Sequence, residues 1–425
     1  MNNLINIIKD YKLDDSLVLL YSGYFDSDNS GTNSHLINSN FFYLTGIDIP
    51  NLIIIYYKNS IKFIYDYSVN EWDDNDHKLK QIYNLYGKNT IIYEPYELSK
   101  FISIKNIKCL TLNNYANIPS MYSLFHDKIK NNANFDTGLL DNACNKNRQI
   151  KSKSEIKNIS IATNYTIKAF RALLTKFKNK KFKYSYEIVN FMKCYWGQFN
   201  ISKLAYNPIC TSGSSNYIIH SNVYDYKLKS KQLILLDIAC KYNNYCSDIT
   251  RTFPVNGKFT KNQKIIYNIV LDINMFAINS IKIGMSWLDL NNLCYLRLYK
   301  SLLDIGLIVK KQRSNIEKIQ AAKIFMNHSI GHSIGIDVHD VPFNYINNDM
   351  VITIEPGVYF NAHQYNNNNI NNTELEKYFS IGGIRIEDVV LINSEKGSKF
   401  KNKTSAISLS PLTKSVNGIE KLMNL

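Results

Sequence analysis

At 425 residues the chain is long for one core, so two domains are expected, and an apolar fraction of 45% argues against a disordered polymer. The formal charge of +15 would suit an anionic partner, but Lys, Asn, Ile and Tyr are over-used along the whole length, so the excess reads as a diffusely basic surface and no specific nucleic-acid partner is expected. No run approaches ~18 uninterrupted apolar residues, so no membrane span is expected, and the opening MNNLINIIKDYKLDDS lacks the pattern of a secretory signal.

In chain order, β-rich runs at residues 16–21, 52–57, 61–65, 90–93 and 107–112 alternate with polar turns and helical segments, which predicts a small α/β domain over residues 1–145. A basic, polar stretch at residues 145–153 marks the change to a second domain over residues 146–425. Ser152 and Glu155 form a capping box that opens a long helix toward Phe177. Thr260 and Gln263 form another, opening a helical run to Ile283 that Gly284 should stop. The insert NNNNINN within residues 361–373 is expected to be a solvated loop between two strands, with His363 on the surface. The seven cysteines are odd in number and scattered, which favours free, mostly buried thiols in a reducing, cytoplasmic compartment. Cys240 and Cys246 flank a predicted turn and are expected to be near each other.

The polar residues that interrupt apolar runs carry the chemistry. In LILLDIACKYNNYCSDITRTF, a turn centred between Tyr242 and Asn243 would set Asp237 directly opposite Asp248, with Cβ atoms about 5 Å apart. Buried carboxylates side by side call for cations between them, though taken alone the pair could be ordinary hairpin polar residues. HSIGHSIGIDVHDV then gathers His328, His332 and His339, three of only eight histidines; imidazole is a ready metal ligand and proton carrier, and any one of these could instead be structural. Glu355 stands in VITIEPGVYF before a Pro-Gly turn, and GGIRIEDVVLI puts Arg385 and Glu387 on one strand face. Arg385 could orient a ligating carboxylate or form a simple ion pair. Two Asp, two Glu and at least one His, without Cys, suit two divalent ions, Mn²⁺ foremost with Zn²⁺ or Co²⁺ as alternatives, and so suit peptide-bond or amide hydrolysis.

The motifs SDITRTFPVNGKFT, GHSIGIDVHDV, TIEPGVYF and GGIRIED, in this order, resemble those of the aminopeptidase P and prolidase family of pita-bread metallopeptidases. NSNFFYLTGIDIP and Glu71-Trp72 resemble that family's amino-terminal domain, so the likeness spans nearly the whole chain. It implies an α+β catalytic domain with a curved antiparallel sheet, preceded by the smaller α/β domain. It also implies Asp237, Asp248, His332, Glu355 and Glu387 as ligands of two metals, with Asp248 and Glu387 bridging and Glu355 accepting a proton. His220, in TSGSSNYIIHS, His339 and His328 are implied as substrate-binding or supporting histidines. The implied activity removes the residue before a proline from short peptides, in a homodimer or homotetramer. A prolidase-type dipeptidase is the nearest alternative, and a non-catalytic binding module on the same fold the more remote one. Residues 342–350 contain no Arg, whereas prolidases usually grip a dipeptide carboxylate with one there, which tilts the reading toward an aminopeptidase. Ser221 and Pro342 also depart from the family pattern.

Overall fold

The computed structural model describes residues 2–27, 33–65, 75–87, 90–94, 97, 108–112, 135–136, 138–179, 181–309, 311–364, 367–394 and 404–424. Glu71 and Trp72 lie outside them. The chain divides into two compact units, Met1–Asn147 and Arg148–Leu425.

The first unit is built on strands β1 (Leu17–Tyr21), β4 (Leu52–Tyr57), β5 (Ser60–Tyr65), β6 (Ile92–Tyr93), β7 (Cys109–Thr111) and β8 (Phe135–Asp136), with β2 (Gly23–Ser27) and β3 (Asn33–Ile37) forming a separate hairpin. The sheet order is β6-β5-β4-β1-β7-β8, antiparallel at its centre and parallel toward both edges. Each run predicted as a strand corresponds to one: β4 has the predicted bounds, β5 starts one residue earlier, and β1, β6 and β7 are shorter than predicted. Every residue of β1 is buried, which is why LVLLY reads as unbroken apolar sequence. Helices Asn2–Asp10 and Ser39–Thr45 contribute Leu4, Ile7, Phe41 and Leu44 to the same core. The second helix is capped by Asn38, whose side chain accepts from Phe41 N, and ends at Gly46 in the left-handed conformation.

In the second unit, the helix Lys153–Lys176 begins at Ser152 with both bonds of the capping box formed. The helix Lys261–Ser280 likewise starts at Thr260, but it stops three residues before Ile283. Ile281 turns to extended backbone there, and Gly284 serves the following turn, donating its N–H to Ile346 O at 2.8 Å. These helices and Trp287–Asp304 pack their apolar sides on one core with the strands. β9 (Ile209–Ser212), β10 (Leu233–Asp237) and β13 (Thr250–Pro254) form one antiparallel sheet in the order β13-β10-β9, and β11 (Lys241–Tyr242) and β12 (Tyr245–Cys246) extend its hairpin. β14 (Val351–Ile354), β17 (Asp388–Ser394) and β18 (Thr404–Ser408) form another, while β15 (Gly357–Tyr359) pairs with β16 (Gly383–Arg385).

The Asn-rich insert lies between β15 and β16, and His363 is exposed. It is not wholly solvated, however: Gln364 is buried and donates to Ile324 O and Tyr359 O, and Ile370 joins the core. Among the described residues no helix is long and apolar enough to cross a membrane. Cys144, Cys210, Cys240, Cys246 and Cys294 are buried free thiols, and Cys194 is exposed.

Candidate active site

The hairpin places the first two carboxylates, in a register different from the expected one. Asp237 faces Thr250 and Tyr242 faces Tyr245, so the turn centres between Asn243 and Asn244 and Asp248 is not directly opposite Asp237. A two-residue hairpin loop of this kind needs positive φ at both central positions, and Asn tolerates it where Tyr does not; Asn243 and Asn244 have φ of 47° and 63°. Asp248 precedes the partner of Asp237 by two residues and so shares its face. The Tyr206 hydroxyl joins them, 2.5 Å from Asp237 Oδ1 and 2.6 Å from Asp248 Oδ1. A single phenolic proton can be donated to only one of the two.

The glutamates meet at a break between two ladders. β14 pairs with β17 with Ile354 opposite Asp388, and β15 pairs with β16 with Gly357 opposite Arg385. The register is continuous, so Glu355 and Glu387 stand opposite each other in the gap. Glu387 is therefore not inside a strand, as its apolar surroundings predict, but between two. Glu355 N donates to Ile330 O at 2.7 Å and Glu387 N to Thr250 O at 3.1 Å, while Thr250 Oγ1 donates to Glu387 Oε2 at 2.7 Å.

His332 turns toward these acids. Its Nδ1–H donates to Ser333 O at 3.0 Å, leaving Nε2 3.4 Å from Asp248 Oδ2 and 3.6 Å from Glu355 Oε1. Asp248, His332 and Glu387 each offer a ligand atom within 4.8 Å of the others. Asp237 and Glu355 line the same cavity, of about 260 Å³, with His220, His339 and Arg385. His339 packs edge-on against His332, ring centroids 4.2 Å apart. His328 joins indirectly: its Nε2 lies 2.9 Å from the Tyr359 hydroxyl, which also receives Arg385 Nη1 at 3.1 Å. Arg385 gives Nη2 to Asp237 Oδ2 at 2.6 Å, so the carboxylate it orients is Asp237, and it reaches Glu387 only through Thr250.

Four residues around the site carry no sequence signal. Tyr206 is one of 31 tyrosines. Asp340, next to His339, accepts from Arg148 at 2.5 Å and Lys151 at 3.1 Å, with all three side chains buried. Ser333 and Val341 close the same loop by reciprocal bonds of 2.7 and 2.9 Å. A second cavity of about 420 Å³ shares His332 and His339, and its lining includes Trp287, Val341, Pro342 and Phe343, the rings of Trp287 and Phe343 lying 5.0 Å apart.

The charges fit cations. Burial, together with Asp248, Glu355 and Asp237, pushes Glu387 well above the usual carboxylate range, and burial pushes Glu355 up to about 7. Asp237 is raised as well, burial outweighing Arg385. Burial disfavours charge on His332, yet the Asp248 hydrogen bond and the Glu355 charge lift it to about 9. So many buried acids in contact hold protons unless positive charge is supplied, and oxygen donors with one imidazole are what hard or borderline divalent ions take.

Comparison with known proteins defines the fold and the family. "AMINOPEPTIDASE P FROM E. COLI LOW PH FORM" superposes with a TM-score of 0.83 at 21% identity, covering 99% of this chain and 97% of that one. Aminopeptidase PepP of Pseudomonas aeruginosa gives 0.81 at 23% identity, covering 99% and 97%. The fold is thus the α+β pita-bread fold around an acidic, histidine-bearing cavity. Residues 157–394, more than half of the chain, match metallopeptidase family M24, and the chain belongs to that family. A Fusarium vanettenii protein named "Probable Xaa-Pro aminopeptidase PEPP" is 33% identical over 289 residues, 61% of each chain. A Phaeosphaeria nodorum protein named "Probable Xaa-Pro aminopeptidase" is 30% identical over 322 residues, 68% of this chain and 40% of its own. The chain spans about three fifths or less of the length of these curated relatives.

Proposed function

We propose that the protein is a two-metal aminopeptidase that releases the N-terminal residue from peptides with proline in second position. One observation carries this: Asp237, Asp248, His332, Glu355 and Glu387 line a single cavity with His220, His339 and Arg385. The five would hold the ions, Asp248 and Glu387 between them, with Mn²⁺ the preferred metal. Such ions acidify an attacking water and polarise the scissile carbonyl.

The side chains supply the rest. Glu355, which lines the cavity with Oε1 3.6 Å from His332 Nε2, takes the proton of the attacking water. His220 and His339 line the cavity and can donate to a substrate carbonyl, and partial burial together with neighbouring His332 lowers the His339 pKa. Arg385 and Tyr206 hold Asp237 and Asp248 in place. Proline lacks an amide N–H and restricts φ, so this bond needs a dedicated site. Where a dipeptidase would carry an arginine, Pro342 and Phe343 present apolar surface, which supports longer peptides as substrates.

We further propose that the first unit is the aminopeptidase P-type N-terminal domain, that the protein works in a reducing, cytoplasmic setting, and that it forms a homodimer or homotetramer. The test is hydrolysis after Mn²⁺ loading of a tripeptide Xaa-Pro-Xaa beside Gly-Pro. Cleavage of the tripeptide with little of the dipeptide is expected. Preference for the dipeptide would mean a prolidase, and cleavage of neither by protein that holds metal would mean a binding module.

A further inference from the structure

The gap that holds the two glutamates leaves one backbone acceptor without its strand partner. Ile386 N donates to Pro356 O at 3.3 Å, so these residues form a hydrogen-bonded pair of the ladder. Pro356 has no N–H to return to Ile386 O, and a buried carbonyl must find a donor elsewhere. Asn274, fully buried on the helix Lys261–Ser280, supplies it: Nδ2 lies 3.3 Å from Ile386 O and 3.0 Å from Ile354 O. Ile354 and Ile386 immediately precede Glu355 and Glu387, so one side-chain amide ties together the two backbones that carry those acids.

The amide is itself oriented. Lys414 Nζ lies 2.6 Å from Asn274 Oδ1, and an ammonium can only donate, so Nδ2 must point at the two carbonyls. Lys414 also pairs with Asp388, the residue after Glu387. Arg251 reaches the same Asp388 at 2.7 Å and donates to Glu387 O at 2.6 Å.

We propose that Asn274 is a positioning residue of the cation centre. By supplying the donor that Pro356 lacks, it fixes the spacing of Glu355 from Glu387 and thereby the grip of the pair on a second divalent ion. This rests on the two-metal reading above. Asn274 touches neither substrate nor ion and acts only through the strands. A residue that merely filled space would leave ion binding unchanged when replaced by one of similar volume.

The experiment titrates Mn²⁺ into the metal-stripped full chain, as wild type and as Asn274→Leu, by calorimetry and by the electron paramagnetic resonance of the coupled ion pair. Wild type should take two equivalents. Asn274→Leu should keep the first and bind the second about tenfold or more weakly, with an altered coupling signal and, on an Xaa-Pro-Xaa tripeptide, a lower kcat at unchanged KM. Two equivalents at wild-type affinities with an unaltered signal would overturn the inference. Should Asn274→Leu fail to fold, Lys414→Met, at a partly exposed side chain, decides in its place: a weakened second ion supports the role and wild-type binding overturns it. Fewer than two equivalents in the wild type would overturn the two-metal reading and this inference with it, whereas two in the wild type matched by the variants would overturn the positioning role only.

Discussion

Asp248 contacts Tyr206 on one side and His332 on the other, and its replacement should be felt throughout the site. Asp248→Asn is expected to abolish metal uptake at both positions while leaving circular dichroism unchanged; full activity with two metals bound would refute a bridging role. Tyr206→Phe removes one hydroxyl from between two carboxylates and should lower kcat by about tenfold, with the fold retained; steady-state kinetics on the tripeptide would check it. The acids and histidines were legible because buried carboxylates within apolar runs, and imidazoles crowded into one short segment, are costly without a purpose. Tyr206, Arg148, Lys151 and Asn274 were not. Tyr206, Lys151 and Asn274 are ordinary members of a chain rich in Tyr, Lys and Asn, Arg148 stands in a basic, polar stretch, and their roles arise only when distant segments meet.

Elements set the placement of these side chains, and their register turns on local backbone chemistry. Alternation of period two predicted the hairpin but cannot choose between registers two residues apart, since both keep the same faces. The choice falls to Asn243 and Asn244, whose left-handed backbone permits the tight turn. Asn244→Val should therefore cost about 1–2 kcal/mol in urea unfolding. The loop from His332 to Val341 has a different anchor. Burial opposes charge on Asp340, but Lys151 and Arg148 outweigh it and hold its carboxyl below the ordinary 3.8. A carboxyl lowered on folding stabilises the protein above its unfolded value and loses that contribution as the pH falls through the folded one. Wild type should thus exceed Asp340→Asn in stability at pH 7, with the difference starting to shrink only below about pH 4 and lost as the pH falls through the lowered folded value, as denaturant unfolding at several pH values would show.

For the whole molecule, the two units carry separate cores, one around β1 and β4 and the other around the helices and sheets of residues 148–425. Calorimetric unfolding should show two transitions, of which added Mn²⁺ raises only that of the second unit, because an ion stabilises the part that binds it. A single transition that moves as one with metal would show that the units unfold together. The interleaved strands of the first unit and the capped helices of the second were readable from periodicity and capping residues. The gap between β15–β16 and the neighbouring ladder was not, because GGIRIEDVVLI looks like one uninterrupted strand.

Trp287 gives this cavity an optical reporter. Of the three tryptophans, Trp72 lies outside the described residues and Trp196 is buried with its indole N–H on Tyr165 O, so its emission should be insensitive to what enters the site. The Trp287 indole lines a cavity shared with His332 and His339. A peptide that displaces water there should shift the emission of the chain to shorter wavelength, and Trp287→Phe should remove the shift while leaving the Trp196 signal in place. Binding of uncleaved peptides could then be followed with no attached label.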